Sequence, residues 1–314
     1  MAEWAIEADG LTKRYGEVTS LIDVCLTVPR ASVLAVLGHN GAGKTTLIDI
    51  LSTRVKPTAG VASVCGFDVG QQARRVRRAI GVVGQFAAVD DALSGRDNLQ
   101  LVARLLGANR RQAGGRAVEL VAAFDLGGVA DRPARTYSGG LRRRLDIAMS
   151  LVGAPQVLFL DEPTTGLDPV SRSAMWRTIE ELGRNGTTIV LTTQYLEEAD
   201  RLADHVVVLG LGRVAVSGTP AQLKARLGNK TAMLRFPSEV LAYRMWARIC
   251  GLGMRATRYP GGCEVVVALA DPADVTDLVR AADVEGAPLL ELKVTEPTLD
   301  EVYLSVHDAL AAHP

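Results

Sequence analysis

Four short runs of nearly continuous apolar character, residues 32–37, 157–160, 188–192 and 206–209, are separated by segments of helical periodicity. Unbroken apolar runs of this length suit strands covered on both faces. Their alternation with helices predicts an α/β domain with a mainly parallel sheet. Residues 4–8, 24–28 and 60–66 are β-rich and predict a smaller antiparallel layer. Between residues 97 and 151 the pattern turns helical, with breaks expected at Gly114-Gly115 and Gly127-Gly128. A helical subdomain is therefore expected over residues 86–152, within a core that spans residues 1–228.

After the Gly218-Thr219-Pro220 turn and a short helix at 221–227, a second domain is expected over residues 229–314. Its order reads strand 231–236, helix 238–250, strand 254–259, a Pro260-Gly261-Gly262 turn, strand 263–269, helix 272–282 and strand 289–294. That is β-α-β-β-α-β, the ferredoxin-like order, with a looser α+β appendage as the alternative. A last helix from Pro297 carries Leu299, Val302, Tyr303, Val306 and Leu310 at helical spacing.

The 314 residues are 48% hydrophobic and 22% charged, enough to bury a substantial core. Lysine plus arginine balance aspartate plus glutamate at 35 each, so no net charge draws the chain to nucleic acid or an anionic membrane. The basic run Arg74, Arg75, Arg77 and Arg78 reads as a solvated helix face. Cys25, Cys65, Cys250 and Cys263 are far apart and form no C-x-x-C pair, which suits reduced thiols and argues against a zinc site. Residues 1–10 carry Glu3, Glu7 and Asp9 and lack the order of a signal peptide. No run of about eighteen apolar residues escapes charge, so any membrane part of this protein's work is expected from another polypeptide.

Gly38-His39-Asn40-Gly41-Ala42-Gly43-Lys44-Thr45 fits the pattern G-x-x-x-x-G-K-[ST] between a strand-like and a helix-like run. Such a loop turns consecutive N–H groups inward around a nucleoside triphosphate and adds the positive end of the helix, into which Thr46 leads. Lys44 is expected at the β- and γ-phosphates and the Thr45 hydroxyl on Mg²⁺. His39 is expected to face solvent, because the loop works through its backbone. Residues 157–163 form an apolar strand ending in Asp161 and Glu162. Asp161 suits Mg²⁺, and Glu162 suits orienting or deprotonating the attacking water. Tyr137-Ser138-Gly139-Gly140-Leu141 precedes a helix on which Leu141, Leu145, Ala148, Met149 and Val152 share a face, and Ser138 can cap it, making a second anion-binding helix end. The Arg142-Arg143-Arg144 run is read as a surface of that helix.

In this order the phosphate loop, the signature at 137–141, the Walker B strand with Glu162, and the D-loop Gly166-Leu167-Asp168-Pro169 resemble the ATP-binding subunit of an ABC transporter. The resemblance implies that two subunits pair head to tail as a homodimer, with each ATP lying between one phosphate loop and the partner's Ser138, Gly139 and Gly140. Gln85 matches the Q-loop glutamine, a Mg²⁺ and water contact. Tyr15 matches the aromatic that stacks on adenine, although plain packing also accounts for a tyrosine there.

Leu141 at the end of the signature and Gln194 at the switch-histidine position depart from the commonest pattern. With Gly84-Gln85-Phe86, residues 137–145 and the tail at 296–304, they resemble the daunorubicin/doxorubicin-resistance ATPase subfamily nearly end to end. This implies a bacterial ATPase on the cytoplasmic face of the membrane, driving export of an amphipathic drug or antibiotic through a separately encoded, multi-span permease. Glutamine can donate an N–H to a γ-phosphate but cannot titrate as histidine does, leaving Glu162 as the expected base. A soluble ABC ATPase acting on nucleic acid or ribosomes is the alternative. The chain lacks the second ATPase unit, long coiled-coil insertion or zinc-binding cysteines such proteins tend to have.

Overall fold

The computed structural model describes residues 4–84, 88–227, 230–258, 261–271 and 273–304. Gln85, Val306 and Leu310 lie outside the described residues, as does the expected boundary at 228–229. One compact unit reaches to Pro220, and a second begins at Ala221.

The first unit is built on a six-stranded sheet in the order Arg213–Gly218, His205–Gly210, Val33–Leu37, Thr188–Thr193, Val157–Asp161, Ile80–Val83. All neighbours pair in parallel except Arg213–Gly218 with His205–Gly210. Every residue of Val33–Leu37, Val157–Asp161 and Thr188–Thr193 is buried, as expected for strands covered on both sides. The two edge strands, Ile80–Val83 and Arg213–Gly218, are only partly buried and carry glycine; the first is a short apolar segment and the second is mixed in polarity, so neither stands out in the apolar pattern.

The antiparallel layer is larger than the pattern suggests. Val18–Pro29, Trp4–Tyr15, Ala59–Val64 and Phe67–Asp68 form a four-stranded sheet in that order. Its apolar residues, among them Ile6, Leu11, Leu21 and Val24, share a core with Leu47, Ile50 and Leu51 of the helix after the phosphate loop.

The helical insertion contains Gly95–Leu105, Arg110–Ala123 and Gly139–Ser150. One expected break is misplaced: Gly114 and Gly115 lie inside Arg110–Ala123. The chain breaks instead around Gly107, with φ 99°, and restarts at a capping box between Asn109 and Gln112. Two interior glycines cost roughly 1 kcal/mol each in helix propensity. The capping box, together with burial of Ala113, Ala117, Leu120 and Val121, outweighs that cost. Arg74, Arg75, Arg77 and Arg78 are exposed on the short helix Ala73–Ala79, as expected of a solvated face.

The second unit follows the ferredoxin-like order: Thr231–Arg235, Glu239–Gly251, Ala256–Arg258, Glu264–Ala268, Ala273–Val284 and Glu291–Thr295. Its sheet runs Ala256–Arg258, Glu264–Ala268, Thr231–Arg235, Glu291–Thr295, with every pair antiparallel. Ala232, Leu234, Val265 and Val267 form its core with Met245, Ile249 and Leu278 of the two helices.

Candidate active site

Parallel strands end side by side, so whatever follows their carboxyl ends is brought together. Here Leu37 pairs with Thr193 and Asp161 with Thr192. The loop at 38–45, the pair Asp161-Glu162 and residue 194 therefore emerge on one edge of the sheet. A cavity of about 320 Å³ opens there, lined by Asn40, Gly41, Gly43, Lys44, Thr45 and Glu162, with Ser20 and Thr46 at its side.

Within the loop, Gly41 has φ 85° and Gly43 φ 105°, a backbone that side chains rarely adopt. A Cβ at Gly43 would also come within 2.6 Å of the Ser20 carbonyl and the Leu21 side chain. Lys44 begins the helix Lys44–Leu51 and is buried; its Nζ donates to the carbonyls of Gly38 at 2.7 Å and His39 at 3.2 Å. The Glu162 carboxylate lies 4.0 Å from that Nζ. Burial pushes the Lys44 pKa down, while the charges of Glu162 and Asp161 oppose the shift. A buried ammonium on two loop carbonyls is ready to exchange them for phosphate oxygens. His39 and Asn40 are exposed, and the His39 Nδ1 lies 2.7 Å from the Asn40 carbonyl.

Thr45 donates its hydroxyl to Asp161 Oδ2 at 3.2 Å, and Thr192 donates to Asp161 Oδ1 at 2.5 Å. The exposed Thr45 hydroxyl beside the buried Asp161 carboxylate is an oxygen-only set that suits a hard divalent cation such as Mg²⁺. Glu162 has φ 48°, outside the strand geometry that precedes it. Its N–H donates to the Thr192 carbonyl at 3.1 Å and hydroxyl at 3.0 Å, and its Oε2 accepts from the Thr165 hydroxyl at 3.2 Å.

Tyr15, Ser138, Gly139, Gly140 and Gln194 do not line this cavity. Ser138 caps Gly139–Ser150 by accepting from the Leu141 N–H at 3.3 Å. Ser138 and Gly139 are exposed, whereas a Cβ at Gly140 would meet the Ser171 hydroxyl at 2.7 Å. That serine lies in the first turn of Pro169–Arg184, capped by Asp168, whose carboxylate is held below its usual range by hydrogen bonds from Ser171 and Val170. Gln194 is exposed immediately after Thr188–Thr193. Tyr15 ends its strand 46% exposed, with the Lys13 ammonium 4.9 Å from its ring centroid.

The reading of Arg142-Arg143-Arg144 as a helix surface fails for the middle residue. Arg143 is buried and donates Nε to the Pro163 carbonyl at 2.9 Å, Nη1 to the Gly84 carbonyl at 2.7 Å, and Nη2 to the carbonyls of Asp161 at 3.1 Å and Glu162 at 3.4 Å. Nη1 also reaches Asp146 Oδ2 at 3.2 Å, and Asp146 Oδ1 accepts from the Ala88 N–H at 3.1 Å. Burial lowers the Arg143 pKa and raises that of Asp146. Four carbonyls and a carboxylate compensate a guanidinium that would otherwise be costly to bury. The sequence holds only a partial signal: Arg142 and Arg143 both lie one turn from Asp146 on this helix, so spacing alone does not choose between them.

A second unanticipated group is Glu198, fully buried, whose Oε1 accepts from the Thr164 hydroxyl at 2.9 Å and the Trp176 indole N–H at 3.0 Å. Burial pushes its pKa up.

A phosphate loop and an acid-tipped strand on one edge of a parallel sheet, joined by an antiparallel layer and a helical insertion, define an ATP-binding cassette ATPase. The family described as ABC transporter matches residues 21–165. The chain is 44% identical over 306 residues to a daunorubicin resistance ATP-binding protein, DrrA3, of Streptomyces coeruleorubidus, covering 97% of this chain and 96% of that one. It is 42% identical over 313 residues to the daunorubicin/doxorubicin resistance ATP-binding protein DrrA of Streptomyces peucetius, covering 99% and 93%. A solved ATP-binding subunit of an ABC transporter aligns with a TM-score of 0.64 at 27% identity, covering 71% of this chain and 93% of that one. The chain belongs to the family of daunorubicin/doxorubicin resistance ATP-binding proteins and is an ATP-hydrolysing subunit of the ABC class. Among the described residues no helix is long and apolar enough to cross a membrane.

Proposed function

We propose that the chain hydrolyses ATP as a head-to-tail homodimer on the cytoplasmic face of a bacterial membrane and drives a separately encoded, multi-span permease that exports an amphipathic drug or antibiotic. The observation that carries this reading is the meeting of Lys44, Thr45 and Glu162 at one cavity, with Asp161 hydrogen-bonded to Thr45, in a chain related nearly end to end to drug-resistance ATPases.

The loop 38–46 cradles the phosphates through its N–H groups, and Lys44 leaves the carbonyls of Gly38 and His39 for the β- and γ-oxygens. Thr45, Asp161 and Gln85 would hold Mg²⁺, whose charge would neutralise the β- and γ-phosphates when bound. Glu162 takes the proton of the attacking water, and its contact with Lys44 aims the carboxylate at the phosphate side. Tyr15 stacks on adenine, and Gln194 donates an amide N–H to the γ-phosphate. Ser138, Gly139 and Gly140 act on the partner's nucleotide; the exposure of the capped helix end supports that role. The domains divide at 228/229, and residues 229–314 stabilise the dimer or its coupling to the permease.

Mixing Lys44→Ala chains with Ser138→Arg chains tests the composite site. One heterodimer site then combines both lesions and the other carries neither, so ATPase activity should partly recover. No recovery in a proven heterodimer would refute independent shared sites.

A further inference from the structure

The side chain of Arg143 is unusual in what it holds: the three consecutive carbonyls of Asp161, Glu162 and Pro163. A planar guanidinium with a fixed fork of donors can gather several oxygens at once, which a lysine ammonium on a flexible stem does less well. The chain at this point must leave the extended geometry of Val157–Asp161, and Glu162 does so at φ 48°. For a non-glycine residue a left-handed backbone costs about 1 kcal/mol or more and persists only where its surroundings impose it. The surroundings are visible on both sides. Thr192 accepts the Glu162 N–H through its carbonyl and its hydroxyl, and Arg143 donates Nη2 to the Glu162 carbonyl. This turn aims the carboxylate at Lys44.

The same guanidinium and its partner Asp146 also reach both flanks of the segment that carries Gln85. Arg143 donates to the Gly84 carbonyl, and Asp146 accepts from the Ala88 N–H. All of these bonds originate on Gly139–Ser150, the helix that Ser138 caps.

We propose that Arg143 is a positioning residue for ATP hydrolysis: from the signature helix it clamps the 161–163 carbonyl turn, setting the backbone of Glu162 and hence the aim of its carboxylate, while Asp146 orients the clamp and holds the Ala88 N–H. The inference rests on Glu162 as the base. Arg143 touches neither nucleotide nor water in this scheme. Its loss lowers turnover rather than ATP affinity.

The test uses the full chain and measures kcat, KM and equilibrium ATP binding for Arg143→Lys, Asp146→Asn, Glu162→Gln and the double variant Arg143→Lys/Glu162→Gln. Arg143→Lys keeps the charge and loses the fork, so kcat should fall about tenfold or more with ATP affinity within about threefold. The double variant should fall no further than Glu162→Gln alone, because both act through the same carboxylate. Asp146→Asn keeps the carbonyl contacts and should lose clearly less turnover than Arg143→Lys. It also reports on the clamp if the Arg143 variant does not fold. Normal kcat in Arg143→Lys, additive losses in the double variant, or an equal or larger loss in Asp146→Asn would each overturn the clamp. Normal turnover in Glu162→Gln would instead overturn the base assignment.

Discussion

The sheet of the first unit and the sheet of the second are both covered by helices, yet only one makes a site. In the first, parallel pairing sends Val33–Leu37, Val157–Asp161 and Thr188–Thr193 to the same edge, and the loops after the first two of these share a cavity. In the second, every neighbouring pair is antiparallel, so strand ends and starts alternate along each edge. Its carboxyl ends are divided between two edges, and its sequence has no glycine-rich phosphate loop at either. The difference teaches that the chemistry here follows strand direction: the parallel sheet gathers one lysine, two threonines and two acids from segments more than a hundred residues apart.

The strongest way to break that comparison is at the acid-tipped strand. Glu162→Gln keeps shape and loses the proton acceptor, so turnover should fall about 100-fold or more while ATP still binds and an ATP-bound dimer accumulates. Near-normal phosphate release by the purified variant would remove the base from the site. In the second unit the largest effect should be structural. Leu234 is fully buried in its core, and Leu234→Ala should destabilise that unit by roughly 2–5 kcal/mol with ATP affinity unchanged. Denaturant unfolding followed alongside nucleotide binding would show whether the two properties separate.

A subtler test concerns pH. The folded-state pKa of Glu198 is raised by burial, against hydrogen bonds from Thr193, Thr164 and Trp176 and the charge of Arg172. Between its ordinary and its raised value the folded chain therefore holds more protons than the unfolded one. Stability is fully present below the ordinary value and is lost as pH rises through the raised one. Glu198→Gln, which cannot ionise, should escape that loss. Its melting temperature relative to the parent should rise with pH, and a gap constant across pH would contradict the assignment. The cap of Glu239–Gly251 should matter less: Ser238→Ala removes the oxygen that accepts from the Leu241 N–H and should cost about 1 kcal/mol in the second unit alone. The smallest expected effect is on ATP affinity after deletion of residues 229–314. The cavity contains none of them, so binding should be unchanged even where self-association or export suffers. Lost ATP binding would mean the domain boundary is misplaced.

Much of the architecture was legible because its signals are local. The apolar runs at 32–37, 157–160 and 188–192 correspond to Val33–Leu37, Val157–Asp161 and Thr188–Thr193, and the β-α-β-β-α-β order of the tail is the one observed. Where local signals conflict, tertiary packing decides between them. Gly114-Gly115 looked like a helix break, but the Asn109 capping box and the buried face around Leu120 carry the helix through it. Tail strands expected at 254–259 and 289–294 are Ala256–Arg258 and Glu291–Thr295, because pairing with Glu264–Ala268 and Thr231–Arg235 sets their ends.

The phosphate loop, the acids after the strand at 157–161 and the Ser138 cap could be recognised from consecutive residues, since glycine freedom, a capping hydroxyl and a strand-end acid are properties of a few neighbouring positions. Which arginine of three is buried could not. Residues 142–144 are chemically alike, and the choice of Arg143 depends on Gly84, Asp161, Glu162 and Pro163, brought to one face of Gly139–Ser150 by the sheet. The burial of Glu198 is likewise settled by Thr164 and Trp176, which lie far along the chain from it. Burial is a relation among distant segments, and a side chain's charge costs or contributes according to the partners that folding assembles around it.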